Sequence, residues 1–425
     1  MRRKLLAYAI LASGSVPLAA CGSGGSGAGS AGTGGFAAAG SGGNGAQGGG
    51  GQAGSGAASG GGSGGVGGGS GAGAGNGWTT EFESKVLWKD RYSACEINAF
   101  GVEDFALDPG KPNRMAAVMS CMKGSQPPTT VLVDFDLDTK QMLTKEFLPD
   151  GALLGITVTK AGRAAAVYRS HVLATNPRVT VAYHDSGAAD WQIVTRDYSP
   201  FDGDAKSMAT DGERVMLSGH GAIYDISKLD TPSSWTRHSH DIPGPVAGGE
   251  DINWMVIDAS QPTQALLATN ELAVYRCTLP NTPTGKVVCQ SKPANQGFAS
   301  APYPQWKEVF SRGFATVWAR TVNKATPWAT SDEGKSFSDL ILPSPCLEAA
   351  TIRDFAGDPT DSKTHVIAQH AAAAAAHLFV THDSGASYVE VPTSDSGGSI
   401  DSIAIGSDGS LVLTNGGVVL RRPSF

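Results

Sequence analysis

Carboxylates recur at one kind of place in this sequence, just ahead of short apolar segments that themselves recur along the chain. Glu103 and Asp104, Asp204, Glu250 and Asp251, Glu308, Glu348 and Asp401 all stand there. A fold that gathers these approaches at one point would form an acidic rim able to bind a cation, an amine or a sugar's hydroxyls. Crowding would also raise some carboxyl pKa values, as a general acid requires. Acids are equally common in loops that simply face solvent, so the grouping depends on the elements behind them. His365, His370, His377 and His382 put four of nine histidines into one short stretch. A metal needs convergent ligands, and partly exposed strand or turn positions are the plainer reading, so no metal is assigned. Trp254, Trp306 and Trp318 stand on or near the same apolar segments, as sugar-stacking platforms or, more simply, as core.

The elements that would position these residues form a repeat. A short apolar strand runs into a tight turn, commonly Asp with Gly or Pro, and a second apolar strand follows. Phe105-Ala-Leu-Asp108-Pro109 leads into Met115–Met119, Met208-Ala-Thr-Asp211-Gly212 into Val215–Leu217, and Met255-Val-Ile-Asp258 into Ala265–Ala268. Turns fall near 108, 161, 211, 258, 312, 358 and 408, a spacing of roughly 50 residues and the length of one four-stranded propeller blade. The expected fold is therefore all-β, a seven-bladed β-propeller over 78–425, with six or eight blades left open. The last unit is short of a strand, and Lys85–Trp88 is the expected donor, closing the ring and removing its open edges. Ala371–Ala376, despite high helix propensity, falls between two strands of unit six and reads as a loop or strand continuation.

Two octapeptides, Thr330-Ser-Asp332-Glu-Gly334-Lys-Ser336-Phe337 and Thr381-His-Asp383-Ser-Gly385-Ala-Ser387-Tyr388, resemble the Asp-box, or BNR repeat, at every position. His184-Asp185-Ser-Gly187 with Trp191 is a degenerate copy with one extra residue. In such a turn the Asp accepts backbone N–H groups, Gly supplies a positive φ, and the aromatic packs the hairpin onto the sheet. That makes the box a structural staple. The resemblance implies kinship with the sialidase and sortilin-like propellers. A sialidase would carry an early arginine motif, two further arginines and a Tyr–Glu pair. The first unit has only Arg114, in a Pro112-Asn-Arg114-Met turn, and Arg169 and Arg353 fit that scheme poorly.

The first 77 residues speak of location. Arg2, Arg3 and Lys4 precede an apolar stretch that is too short to span a bilayer and has the order of a secretory signal. Leu18-Ala19-Ala20-Cys21 resembles a bacterial lipobox, which implies cleavage after residue 20, lipidation of Cys21 and retention in the cell envelope, with Gly22 favouring the outer membrane. Residues 21–77 are Gly, Ser and Ala-rich with no charge, a composition that cannot offset the entropy of ordering. The expectation is a disordered tether reaching roughly 40–45 Å. With a formal net charge of −7 for the whole chain and three positive charges before Trp78, the remainder carries −10. Such a surface excludes nucleic acid and anionic membrane as partners of the head. Of the other cysteines, Cys277 and Cys289 flank a short Pro/Gly-containing loop and are the expected disulfide, worth on the order of 3 kcal/mol. Cys95–Cys121 is the weaker pairing.

No cofactor is called for, since no phosphate loop or Cys/His metal spacing is present, and no catalytic residue is assigned. The expected function is a lipid-anchored, monomeric, non-catalytic module binding a polysaccharide or an envelope or extracellular protein through the acidic rim. One alternative is a sialidase-superfamily glycoside hydrolase using two carboxylates among Glu103, Asp104, Asp251 and Glu308. The other is an envelope assembly or scaffold factor.

Overall fold

The computed structural model describes residues 77–83, 101–121, 129–147, 151–170, 178–197, 205–219, 221–242, 252–258, 261–269, 273–291, 304–305, 319–321, 324–329, 338–339, 351–361, 363–370, 376–393, 400–415 and 417–424. They form seven four-stranded antiparallel sheets, the blades of a β-propeller. Strand β1 (Thr79–Glu83) stands apart from the strands that follow it and is placed below. Blade 1 is β2 (Gly101–Asp108), β3 (Lys111–Cys121), β4 (Thr129–Asp136) and β5 (Met142–Phe147). Blade 2 is β6 (Ala152–Val158), β7 (Arg163–Arg169), β8 (Arg178–Asp185) and β9 (Gln192–Asp197). In blade 3, β10 (Ser207–Thr210), β11 (Val215–Gly219) and β12 (Ala222–Asp225) are followed by a 3₁₀ turn at Pro232–Ser234 and β13 (Thr236–His238). Blade 4 comprises β14 (Ile252–Ile257), β15 (Gln264–Thr269), β16 (Val274–Thr278) and β17 (Val288–Cys289). Blade 5 comprises β18 (Pro304–Gln305), β19 (Ala319–Thr321), β20 (Lys324–Ala329) and β21 (Ser338–Asp339). Blade 6 is β22 (Thr351–Gly357), β23 (His365–His370), β24 (His377–Thr381) and β25 (Val389–Val391). Blade 7 takes β26 (Ser402–Ile405), β27 (Leu411–Asn415) and β28 (Val418–Arg422) from the end of the chain.

The fourth strand of blade 7 is β1, paired antiparallel with β28 from Thr79↔Arg421 to Glu83↔Val418. The ring is thus closed by the N-terminal side, but by Thr79–Glu83 and not by Lys85–Trp88, which lies outside the described residues. Trp78 fixes the seam: its ring is 1% exposed, and its Nε1 donates to the Pro392 carbonyl of blade 6 at 2.7 Å. The first strands of successive blades are neighbours. β2 packs on β6, β6 on β10, β10 on β14, β22 on β26, and β26 back on β2, which makes the first strand of each of these blades the innermost.

The apolar core lies between blades. One cluster joins blade 7 to blade 1 through Phe82, Phe105 and Val412, and another joins blades 1 and 2 through Val118, Ile156 and Trp191. Three more lie between blades 2 and 3, 3 and 4, and 6 and 7. This placement explains the residue pattern. A second strand such as β3 is covered on both faces, so Met115–Met119 are all fully buried and read as one unbroken apolar run. An outer strand such as β9 has one wet face and alternates weakly.

Ion pairs add stitches between blades. Arg114 lies within β3, not in a turn. Its Nε and Nη2 meet the two Asp134 oxygens at 2.9 and 2.6 Å, and its Nη1 reaches Asp108 at 3.0 Å and the Gly162 carbonyl of blade 2. Burial pushes the Arg114 pKa down, but Asp134 and Asp108 outweigh it and raise it. His184 Nδ1 of blade 2 closes the group at 2.6 Å from Asp134. Arg163 joins Asp185 to Asp230 of blade 3, and Arg421 joins Asp408 to Asp138 of blade 1.

Candidate functional site

The propeller has two ends: a lip, where the inner strands begin, and a turn face, where they reverse. The turn face shows what the repeating Asp does. Asp108 Oδ1 accepts the N–H groups of Gly110 and Lys111, Asp211 Oδ1 those of Glu213 and Arg214, and Asp358 Oδ1 those of Thr360 and Asp361. Asp258 and Asp408 do the same with Gln261 and Ser410. In blades 1, 3, 4 and 6 the Asp ties the turn to the end of the inner strand, and in blade 7 Asp408 sits within the turn itself; each is spent on structure. Blade 2 has Thr159 there, whose Oγ1 accepts from Arg163 N at 3.1 Å.

The turn between the third and fourth strands of blade 6 is built around Asp383. Its Oδ1 accepts from Ser387 N at 2.8 Å and from Thr381 Oγ1 at 2.7 Å, while its Oδ2 accepts from Ser387 Oγ at 2.6 Å. Gly385 turns at φ +89°. The Ser387 hydroxyl and backbone N–H, with the Thr381 hydroxyl, hold the Asp383 carboxyl down to about 2. In blade 2 the corresponding acid behaves differently. Gly187 turns at φ +83°, but Asp185 gives both oxygens to Arg163, its opposite neighbour in the β7–β8 ladder, at 2.6 and 3.1 Å. Trp191 is buried against His184, with ring centroids 5.5 Å apart. Asp332, Gly334 and Phe337 lie outside the described residues. Cys277 and Cys289 form a disulfide between β16 and β17. Cys95 is outside the described residues, so its pairing with Cys121 is not placed, and Cys21 is also outside.

The lip holds the described members of the carboxylate set. Glu103 is exposed and Asp104 half-buried on β2, and Asp401 is exposed at the start of neighbouring β26. Residues almost 300 positions apart therefore stand on adjoining inner strands. Asp204, Glu250, Asp251, Glu308 and Glu348 lie outside the described residues.

The local backbone explains how Glu103 is presented. The β2–β3 register slips between Val102 and Asp104, leaving Glu103 as the extra residue of a bulge. The same slip occurs in β6 at Leu154, in β14 at Asn253 and in β22 at Arg353. Bulges re-aim side chains at sheet rims, and here they place one residue per blade at the lip. Blades 3 and 7 reach the same height without a bulge, at Lys206 and Asp401, whose N–H groups donate to Ser218 and Thr414 carbonyls. At this register the described lip carries Glu103, Leu154, Lys206, Asn253, Arg353 and Asp401. Among the described residues at this register, Glu103 and Asp401 are acids and Lys206 is a base. A simple count would have found the missing members, because in four blades the lip residue stands five positions before the turn Asp.

One layer below, Asp104, Gly155, Ser207, Trp254, Asp354 and Ser402 occupy equivalent positions. Asp354 bridges blades, its Oδ2 accepting from Ser402 Oγ at 2.8 Å and Ile403 N at 2.9 Å. Asp104 Oδ1 accepts from the Phe105 N–H. Trp254 is 5% exposed and packs within the fold, so it offers no stacking face; Trp306 and Trp318 are outside the described residues. Tyr168 is buried between blades 1 and 2, and burial, with the charges of Glu103 and Asp104, pushes its hydroxyl far up. The four histidines of blade 6 are dispersed: His365 is fully buried, His377 Nδ1 meets Glu390, and His382 Nδ1 meets Thr364 Oγ1. His370 ends β23, and its side chain is not among the described ones.

No family model matches the sequence, and no curated protein does. Solved structures do match. YCF48 from Cyanidioschyzon merolae is 11% identical, with a TM-score of 0.51 over 81% of this chain and 98% of that one. The WD40 domain of Pan2 from Neurospora crassa is 11% identical, with a TM-score of 0.50 over 82% and 97%. The β-propeller domain of Cps50 (Swd1) from Myceliophteria thermophila is 10% identical, with a TM-score of 0.50 over 77% and 97%. At these identities the likeness is one of fold, and the fold shared is the β-propeller.

Proposed function

We propose that this chain is an exported binding module, acylated at Cys21 and carried on the Gly/Ser-rich segment at the bacterial outer membrane. Its propeller lip engages a polysaccharide or a protein of the envelope or its surroundings, and it catalyses no reaction. One observation supports the reading: Glu103 and Asp104 stand on an inner strand that adjoins the one Asp401 leads into. Bulges and register set Lys206 and Asn253 at the same height as Glu103. Donors and acceptors thus both occur at that height, as suits recognition of a polar surface. Arg114, Arg163 and Arg421 are engaged in holding blades together.

The test is a glycan array and an envelope-protein crosslinking capture with the full-length chain, run beside a glycosidase screen. Binding that falls at least tenfold in Glu103→Gln or Asp401→Asn is the expected result. Glycoside turnover that disappears in Asp104→Asn would replace this reading with the hydrolase.

A further inference from the structure

A polar cleft of about 400 Å³ opens on the turn face between blades 3 and 4, at the end of the propeller opposite the lip. Its floor comes from the first turns of the two blades, Asp211, Glu213 and Arg214 on one side and Pro262 and Thr263 on the other. One wall is the approach to β13, from Asp225 to Thr236. The other is the hairpin Pro280-Asn281-Thr282-Pro283 between β16 and β17.

That hairpin is fixed from several directions. The Cys277–Cys289 disulfide closes its base. His238 Nδ1 of blade 3 donates to the Gly285 carbonyl at 2.9 Å, and Val287 N donates to the Ser239 carbonyl at 2.9 Å. Cys289 N donates to Asp241 Oδ1 at 2.7 Å, and Arg214 Nη1 reaches the Pro280 carbonyl at 3.4 Å. Gly285 permits the tight fold-back, since a Cβ there would lie 2.4 Å from Pro280 Cβ. A wall held this way needs little ordering when a ligand arrives, which favours affinity.

The lining selects the ligand by elimination. No aromatic, leucine, isoleucine, valine or methionine side chain lines the cleft. A hydrocarbon or flat aromatic ligand therefore has little to bury against. Arg214 and Lys228 stand against Asp211, Glu213 and Asp225, so neither a polyanion nor a polycation meets a matching field. Part of that charge is already paired, Arg214 with Asp211 at 3.3 Å and Glu213 with Lys160 at 3.7 Å. What remains is a mixture of donors and acceptors: the Lys228 ammonium, the Asn281 amide, the Thr263 and Thr282 hydroxyls and the Asp225 carboxylate. Asp225 uses Oδ1 for the Ser227 N–H and hydroxyl. Its Oδ2 takes no hydrogen bond from the described residues. Proline methylenes from Pro262, Pro280 and Pro283 supply the modest apolar surface between them.

We infer that this cleft is a second binding site, for a neutral, hydroxyl-rich ligand: one or two sugar units of an uncharged glycan. The volume lies within the range of small-ligand pockets. Vicinal hydroxyls bridge a carboxylate and an ammonium, while the sugar's C–H face rests on the prolines. The site is independent of the lip.

The test titrates the full-length chain calorimetrically with maltotriose, cellotriose and triacetylchitotriose, and with trigalacturonate as the charged comparison. At least one neutral trisaccharide is expected to bind with Kd below about 10 mM. Asp225→Asn and Lys228→Met should each weaken it at least tenfold, and Asn281→Trp, which fills the cleft from an exposed position, should abolish it. Glu146→Gln, at an exposed position on the outer strand of blade 1, should leave it unchanged. Unaltered urea unfolding of Lys228→Met and Asn281→Trp keeps any loss attributable to the cleft. The inference is overturned if no neutral trisaccharide binds or if trigalacturonate binds best. It is equally overturned if binding survives Asn281→Trp.

Discussion

Acid should loosen this propeller at blade 6 through one histidine. His365 is fully buried on β23, opposite Gly357 and Thr381. Burial lowers its pKa from 6.5 to about 4, although Asp361 and Asp358 pull the other way. Because the folded value lies below the unfolded one, the unfolded chain takes up the proton first. Stability from this group is therefore full above pH 6.5 and is lost as pH falls toward 4. Each pH unit inside that window costs about 1.4 kcal/mol, so moving from pH 7 to pH 5 removes about 2 kcal/mol. The assay is urea unfolding of the parent and of His365→Leu at both pH values. Leu keeps an apolar side chain in the pocket and cannot titrate. The parent should lose about 2 kcal/mol more than the variant across the interval, whatever their difference at pH 7. Equal losses in the two proteins would refute the reasoning, because the proton would then be going elsewhere.

Arg114→Met should destabilise the protein by about 3–5 kcal/mol, since it strands Asp108 and Asp134 in a buried junction without their cation. Adding Asp134→Asn should recover part of this, whereas Arg114→Lys, lacking the two-pronged geometry, should not restore the parent. Urea midpoints read all three, and a variant Arg114→Met within 1 kcal/mol of the parent would show the junction to be incidental. Gly151→Ala should be severe, at about 2–4 kcal/mol, because Gly151 has φ +148° and a Cβ there would fall 1.5 Å from the Arg169 carbonyl oxygen. Gly187→Ala, at φ +83° with open space around it, should cost only about 1 kcal/mol, and equal costs for the two would contradict the steric account.

Much of the fold was legible because blade spacing is a property of chain length and turn chemistry. The turns near 108, 161, 211, 258, 358 and 408 all stand where Asp or Thr closes an inner hairpin, and the one near 312 lies outside the described residues. The closing strand was harder to read. An outer strand buries only one face, so Thr79-Thr-Glu-Phe-Glu83 shows a single large apolar residue, while the more apolar Lys85–Trp88 looked stronger. At the degenerate box, Asp185 kept the expected residue type but met Arg163 across the ladder, and an arginine outcompetes backbone N–H groups for a carboxylate. The lip was half legible. Acids ahead of inner strands were visible as a class, but a bulge shifts the register by one, and only counting back from the turn brings Lys206, Asn253 and Arg353 to the same height. The turn-face cleft left no local signature, because it is assembled from four turns of two blades.

The latch formed by β1 has a consequence for proteolysis and self-association. A cut upstream of Trp78 would leave all seven sheets whole. A cut between β1 and β2 would leave that latch held by the ladder to β28 and its neighbours alone, free to peel away. The bared flank of β28 would then accept the equivalent strand of another molecule, turning each ring into a link in a chain of borrowed strands.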